Sequence, residues 1–148
     1  MLVIVDTNVL INAIFARRLY RFDSAIVDLE QQRAIQFAFS TYTKNELLLI
    51  VSRFIHQQNH YECSLFFDEL YAVFNRSRME PINPPKVETT INDKSDLPFL
   101  NLAVKVQADY LITNDYESGL LNLGTFKNVK IVDPKRFISD HSKLARKR

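Results

Sequence analysis

The chain contains very little glycine. Only two of its 148 residues are glycine, Gly119 and Gly124. Glycine-rich phosphate loops need several glycines at fixed offsets, because backbone amides must approach the phosphate closely. Two glycines this far apart cannot build such a loop, so the sequence excludes a Walker-type or dinucleotide-binding function.

Cysteine and histidine are scarce as well. The single cysteine, Cys63, cannot form an internal disulfide, and the sequence has no cysteine pair or His/Cys cluster at zinc-site spacing. The three histidines, His56, His60 and His141, include no HExxH helix and no recognisable partner for a serine triad. These absences argue against zinc and serine hydrolases and favour a reducing, intracellular setting.

Long hydrophobic runs are absent. No segment approaches the ~18–20 uncharged apolar residues that cross a bilayer. The apolar amino-terminal segment, MLVIVDTNVLINAIF, carries Asp6 and Asn8 and has no basic segment ahead of it, so it is a poor signal peptide. We therefore expect a cytoplasmic protein with no membrane partner.

The overall composition is that of an ordinary globular protein. Hydrophobic residues make up 47% and charged residues 24% of the chain, and the length suits one core. The net charge of +2 does not by itself point to nucleic acid. We expect one domain over residues 1–138 and a basic tail over residues 139–148, containing Lys143, Arg146, Lys147 and Arg148.

Apolar patterns predict alternating strands and helices. Strands are expected at residues 2–5, 35–39, 110–113 and 129–132, and helices after Asp6, at residues 24–32, 47–55 and 61–75, and from about residue 96 to 108. Three prolines make residues 79–86 a connector with at most a short strand on either side. Because parallel strands need crossover connections, usually helical, the fold class is α/β: a three-layer α/β/α sandwich with a short, mainly parallel central sheet.

Four carboxylates lie where such a sheet places its ligands, beyond the carboxyl ends of the strands. Asp6 closes the first strand, Asp115 follows the strand at 110–113, and Glu46 and Asp96 are each expected in the first turn of a helix. Each acid also has a purely structural interpretation. Asp6 and Asp96 suit helix caps, residues 43–46 match a capping box that ends at Glu46, and Asp115 could shape a turn with Asn114.

Convergence of several acids at one sheet edge favours a metal site over capping. Like charges held close together raise pKa values and cost stability unless a cation compensates. Oxygen ligands of this kind suit Mg²⁺ or Mn²⁺. Phosphodiester hydrolysis is the corresponding chemistry, because such an ion polarises a phosphoryl oxygen and lowers the pKa of a bound water.

Four sequence blocks closely resemble the PIN-domain family, in the family's order. They are a strand followed by residues 6–10 (DTNVL), Glu46 on a later helix, residues 93–103 (DKSDLPFLNLA) and residues 110–117 (YLITNDYE). Asn114 stands where many members have glycine, and Glu117 where a further aspartate is common. Asp93 is a neighbouring acid, but Asp96 holds the family's spacing to Phe99.

This resemblance implies a PIN-like nuclease domain over residues 1–138. The subgroup most resembled is the VapC-like toxin component of bacterial type II toxin–antitoxin systems. The implied activity is endoribonuclease cleavage of an RNA substrate with Mg²⁺ or Mn²⁺, often by a homodimer inhibited by a small antitoxin protein.

The roles that follow are hypotheses about individual residues. Asp6, Asp96 and Asp115 hold the ion directly or through water, and Glu46 orients or deprotonates the attacking water. The supporting residues are Thr7, Asn8, Thr113, Asn114 and Glu117.

Two alternatives remain open at this point. One is a non-catalytic nucleic-acid or partner-binding module with the same fold, against which the intact acid set argues. The other is a phosphotransfer domain of the haloacid-dehalogenase or receiver kind. The haloacid-dehalogenase type needs Asp-x-Asp after its first strand, and here Asn8 supplies an amide in place of the second acid.

Overall fold

A six-stranded sheet lies at the centre of the protein in a computed structural model that describes residues 1–56, 60–91 and 94–145. The strands are β1 (Leu2–Val5), β2 (Gln36–Ser40), β3 (Arg78–Glu80), β4 (Tyr110–Ile112), β5 (Thr125–Phe126) and β6 (Val129–Val132). Their spatial order is β3-β2-β1-β4-β6-β5. Every neighbouring pair is parallel except β5 and β6, which run antiparallel.

Eight α-helices occur in the described residues. They are α1 (Thr7–Phe15), α2 (Arg21–Gln31), α3 (Thr41–Ile55), α4 (His60–Arg76), α5 (Leu97–Lys105), α6 (Leu120–Leu123), α7 (Pro134–Asp140) and α8 (Ser142–Ala145). A 3-10 turn at Lys94–Asp96 precedes α5. Within these same residues, no helix combines the length and apolar character needed to span a membrane.

Two hydrophobic clusters cover the two faces of the sheet. Successive side chains of a strand point to opposite faces, and β1 follows this rule: Val3 and Val5 join one cluster, whereas Ile4 joins the other. The first cluster is built with α1, α2, α3, α4 and α7, and the second with α5 and α6. The predicted three-layer α/β/α fold with a mainly parallel sheet is therefore confirmed.

The start of α3 differs from the prediction. Strand β2 continues to Ser40, and the Ser40 side chain caps the helix by accepting a hydrogen bond from the Thr43 backbone amide at 3.2 Å. The Thr43 hydroxyl in turn accepts a bond from the Ser40 amide at 2.9 Å. The capping box thus joins Ser40 to Thr43, so its predicted placement over residues 43–46 was wrong. Glu46 lies in the second turn of α3 and has no capping role.

This cap makes a direct prediction about stability. We expect Ser40→Ala to lower the free energy of unfolding by about 1–2 kcal/mol, because it removes the acceptor for an orphan helix amide at a buried position. Glu46→Gln is the matched comparison and should change the unfolding free energy by less than ~0.5 kcal/mol. Urea titrations followed by circular dichroism measure both. Equal losses for the two variants would contradict the assignment of the cap.

The carboxyl-terminal third differs from the prediction in the end of α5 and in four short elements that the sequence patterns did not predict, β5, α6, α7 and α8. Helix α5 ends at Lys105, before the predicted residue 108, because Gln107 adopts a left-handed backbone conformation with φ 54°. The amide of Ala108 then bonds the carbonyl of Ala103 at 2.9 Å, which closes the helix. Farther along, Asp133 caps α7 by accepting the Arg136 amide at 2.7 Å, and Pro134 occupies the first helical position.

Candidate functional site

The carboxyl ends of β1 and β4 bring two predicted site residues to one edge of the sheet. These strands are parallel neighbours, with Val5 opposite Ile112, and the amide of Asp6 bonds the carbonyl of Ile112 at 2.9 Å. Asp6 therefore emerges beside the loop that carries Asp115. Two helices add the remaining acids, Glu46 from α3 and Asp96 from the residue before α5.

Asp6 is buried and is not used as a helix cap. It occupies the N-cap position of α1 with extended backbone, but its side chain makes no capping hydrogen bond. Its Oδ2 instead accepts a bond from the buried Thr113 hydroxyl at 2.8 Å. Burial raises the pKa of Asp6, the Thr113 bond partly offsets this, and the negative charges of Glu46 and Asp115 raise it further.

The hydroxyl of Thr113 joins two of the acids. It donates to Asp6 and accepts a bond from the backbone amide of Asp115 at 3.0 Å. Thr113 is completely buried and directly follows β4, so its position is set by the sheet. The carboxylate of Asp6 and the backbone of Asp115 are thereby held in a fixed relation.

A second hydroxyl holds Glu46. Thr7 is buried in the first turn of α1, and its Oγ1 donates to Glu46 Oε2 at 2.8 Å. The Glu46 side chain itself is only partly buried. The bond links α1 to α3 across 39 residues of sequence and keeps this carboxylate beside Asp6.

Asp96 has the most perturbed environment of the four acids. It occupies the N-cap position of α5 without a side-chain capping bond, and its Oδ2 is buried with no hydrogen-bond partner among the described residues. Burial raises the pKa of Asp96 to about 7, helped by a proton shared with Asp115 and by the charges of Asp6 and Asp115. A helix cap therefore does not explain this residue.

Asp115 shapes the turn in which it lies, but with Glu117 and Ser118 and not with Asn114 as predicted. Its Oδ1 accepts the backbone amides of Glu117 at 2.9 Å and Ser118 at 3.0 Å. The hydrogen bond with Asp96 and these amides lower the pKa of Asp115. The pKa values of the pair are therefore shifted in opposite directions, upward for Asp96 and downward for Asp115.

The charges of the four acids act on one another, but the acids do not form a preformed metal-binding group. Across residues 1–56, 60–91 and 94–145, no three His, Cys, Asp or Glu side chains converge as a metal-binding group. Asp6, Glu46 and Asp115 are held by hydroxyl or amide donors, which is the expected arrangement for carboxylates that repel one another. The buried, unpartnered oxygen of Asp96 and the all-oxygen donor set fit a hard divalent cation such as Mg²⁺ or Mn²⁺.

The other predicted residues have different surroundings. Asn8 and Glu117 are exposed, and the backbone amide of Glu117 donates to Asp115. Asn114 is turned toward α2, where its side-chain amide donates to Asp23 Oδ2 at 2.8 Å. The alternative acid, Asp93, lies outside the described residues.

Two residues next to the acids were not predicted. Asp23 is 4% exposed, and its Oδ2 accepts Asn12 Nδ2 at 3.0 Å in addition to Asn114. Ser118 is 2% exposed and donates its amide to Asp115, while its side chain lowers the pKa of Asp96. No sequence pattern marks Asp23, because packing brings Asn114 to it across 91 residues of sequence, whereas Ser118 lies only three residues after Asp115 in a local turn.

Comparison with known proteins agrees with this geometry. The sequence model of a family described as PIN domain matches residues 2–117, a segment that contains all four acids. No curated protein and no solved structure is significantly similar to the chain. PIN domains are generally nucleases and typically use divalent metal ions. Since the match spans most of the sequence, the chain belongs to the PIN domain family.

Proposed function

We propose that this protein is a metal-dependent endoribonuclease that hydrolyses phosphodiester bonds in RNA with Mg²⁺ or Mn²⁺. The observation that carries the proposal is the buried, unpartnered Asp96 Oδ2 beside Asp6 and Asp115, at the edge of the sheet. An uncompensated buried carboxylate destabilises a fold. A cation held there would relieve this cost, and its affinity for phosphoryl oxygens would recruit the substrate.

The residues divide into ligands and supports. Asp6, Asp96 and Asp115 would hold the ion, directly or through water. When bound, the ion would polarise a phosphoryl oxygen and lower the pKa of water. Thr113 orients Asp6, and Thr7 orients Glu46.

Glu46 is the acid best placed to act on water. It is partly exposed, and Thr7 occupies only its Oε2, so Oε1 can accept a proton from an attacking water or orient that water.

The direct test is cleavage of defined substrates. Labelled single-stranded RNA, duplex RNA and single-stranded DNA of one sequence are incubated with the full chain in Mn²⁺, Mg²⁺ or EDTA. We expect internal cleavage of single-stranded RNA with either metal and none in EDTA. RNA binding without cleavage in every metal would instead identify a non-catalytic binding module, and undiminished cleavage in EDTA would refute the metal dependence.

Asp23 is expected to act as a positioning residue for this reaction. It holds Asn114, the residue before Asp115, to helices α1 and α2. In Asp23→Asn a side-chain NH₂ group replaces one carboxylate oxygen. The loop that contains Asn114 therefore loses part of the hydrogen bonding that holds it in place. We expect roughly 10-fold weaker Mn²⁺ binding by calorimetry and a comparable loss of cleavage, as for other residues that orient metal ligands.

The matched control for Asp23 is Asp28→Asn. Asp28 lies on the same helix but pairs with Arg17. This variant should retain the Mn²⁺ affinity of the wild type. Equal affinities for Asp23→Asn and the wild type would show that the Asn114 anchor does not position the ligands.

The biological role that we propose is the toxin of a type II toxin–antitoxin pair, acting on RNA in the cytoplasm. The resemblance of the four sequence blocks to VapC-like ribonucleases supports it. A small antitoxin protein and a homodimer are the expected partners. Induced expression of the protein should stop growth, and Asp6→Asn should abolish this effect. Co-expression of an adjacent small gene that encodes the antitoxin should restore growth. Light scattering measures whether the protein is a homodimer.

A further inference from the structure

A cavity of about 350 Å³ opens on α3 directly beside the acidic site. Four of its lining residues follow the spacing i, i+3, i+4, i+7 and therefore share one helix face. The lining residues are Thr41, Tyr42, Asn45, Glu46, Leu49 and Asn83. Because Glu46 belongs to both, the cavity adjoins the proposed catalytic site. We call it the α3 cavity.

The walls of the α3 cavity combine flat apolar surface with amide groups. Tyr42 is 47% exposed and Leu49 is 53% exposed. Both line the cavity, so part of the surface that a ligand would meet there is apolar. Asn45 and Asn83 add side-chain amides, each of which can both donate and accept hydrogen bonds.

The wall opposite the helix is held in place by hydrogen bonds. Asn83 Oδ1 accepts the backbone amide of Tyr42 at 3.3 Å, and the Thr41 hydroxyl donates to the carbonyl of Pro81 at 3.2 Å. These bonds tie the proline-rich connector to the first turn of α3. The Asn83 bond uses its carbonyl oxygen, and none of the hydrogen bonds seen among the described residues uses its NH₂ group.

The charge of the residues that line the cavity favours contact with a nucleobase over contact with a phosphate. A phosphate site needs Arg, Lys or clustered backbone amides, whereas no residue that lines the cavity is basic and Glu46 would repel a phosphate. A nucleobase is neutral, has a flat face and carries donors and acceptors on its edge. Proteins bind single-stranded bases by stacking them on aromatic side chains and hydrogen bonding their edges.

We propose that the α3 cavity binds one nucleobase of single-stranded RNA beside the bond that is cleaved. Tyr42 stacks on the base, Leu49 borders it, and Asn45 and Asn83 contact its edge. The volume lies at the lower end of the range of roughly 300–1,000 Å³ for small-ligand pockets, as a single base requires. The proposal rests on the proposed RNA substrate and assigns a position of base preference to the same site.

The absence of tryptophan from the chain permits a direct test. Tyr42→Trp introduces a single fluorophore into the cavity, and the Asp6→Asn background prevents cleavage. Short single-stranded RNA should quench this fluorescence saturably, whereas a ribose-phosphate strand without bases should bind at least about 5-fold more weakly, as expected for loss of stacking. Tyr71→Trp is the matched control, because Tyr71 is 63% exposed on α4 and does not line the cavity.

Cleavage kinetics provide the second measurement. Tyr42→Ala should raise KM about 5- to 100-fold with little change in kcat, and Tyr42→Phe should retain most of the wild-type KM because it keeps the ring. Equal quenching by strands with and without bases would overturn the proposal. So would quenching by a protein partner but not by RNA, which would make the cavity a protein-docking surface.

Failure of this proposal can be told apart from failure of the proposed function. Metal-dependent cleavage with an unchanged KM in Tyr42→Ala would refute the base site and leave the nuclease assignment intact. Base-dependent quenching in a protein that cleaves no RNA in any metal would refute the nuclease assignment and support the base site.

Discussion

Replacement of Asp6 by Asn is expected to lower metal-dependent RNA cleavage by at least about 100-fold, since even residues that only orient metal ligands change activity 10- to 100-fold. Asp6 is the acid most firmly integrated into the site. It is buried, Thr113 orients it, and the charges of Glu46 and Asp115 act on it. Asparagine keeps the size and one acceptor oxygen for Thr113 but removes the negative charge that attracts a cation.

The fold should survive this substitution. Burial raises the pKa of Asp6, which means that its ionised form is destabilised in the native protein. A neutral side chain of the same shape should therefore melt at the same temperature or slightly higher. Time courses on labelled RNA and thermal melts by circular dichroism measure the two effects. Asp68→Asn, an exposed acid on α4, is the control and should cleave normally. A full rate for Asp6→Asn would refute the proposed site.

The metal-free protein is expected to lose stability as the pH rises from about 5 to 8. Asp96 has a pKa raised from 3.8 to about 7, so between these values the native state keeps a proton that the unfolded chain has lost. Stability falls with pH wherever the native state binds more protons. A decrease in Tm of at least about 3 °C is expected over this range. Asp6 and Glu69, whose pKa values are also raised by burial, contribute with the same sign.

Addition of Mn²⁺ or Mg²⁺ should reverse this loss, and more strongly at pH 8 than at pH 5.5, because the cation competes with the proton. At 100 times its dissociation constant, a ligand stabilises by about 2.7 kcal/mol, which corresponds to a Tm rise of roughly 5–10 °C. In Asp96→Asn both the metal effect and the part of the pH dependence due to Asp96 should disappear, while the parts due to Asp6 and Glu69 remain. A Tm that is insensitive to metal at pH 8, at constant ionic strength, would show that the acids do not hold a cation.

Much of the sheet could be predicted because the strands at its centre, β1, β2 and β4, are buried almost throughout. Residues 2–5 and 129–132 were predicted with the observed bounds. Short apolar runs that are rich in β-branched residues are typical of buried strands. The capping box was predicted at the wrong position because residues 43–46 match its sequence pattern. The extension of β2 to Ser40 places the start of α3 earlier, so that the box joins Ser40 to Thr43. The elements β5, α6, α7 and α8 are short, and short elements depend on packing more than on periodicity.

The sequence by itself determined which side chains make up the candidate site: four carboxylates at predicted strand and helix ends, in an order that resembles a PIN domain. The tertiary structure decided what each carboxylate contacts. Thr113 and Asp6 are separated by 107 residues and meet only because β1 and β4 pair in one register. Thr7 reaches Glu46 by the packing of α1 against α3, and Asp23 on α2 reaches Asn114 in the loop after β4. Residue types are a local property of the chain, whereas hydrogen bonds and burial depend on distances that folding alone creates.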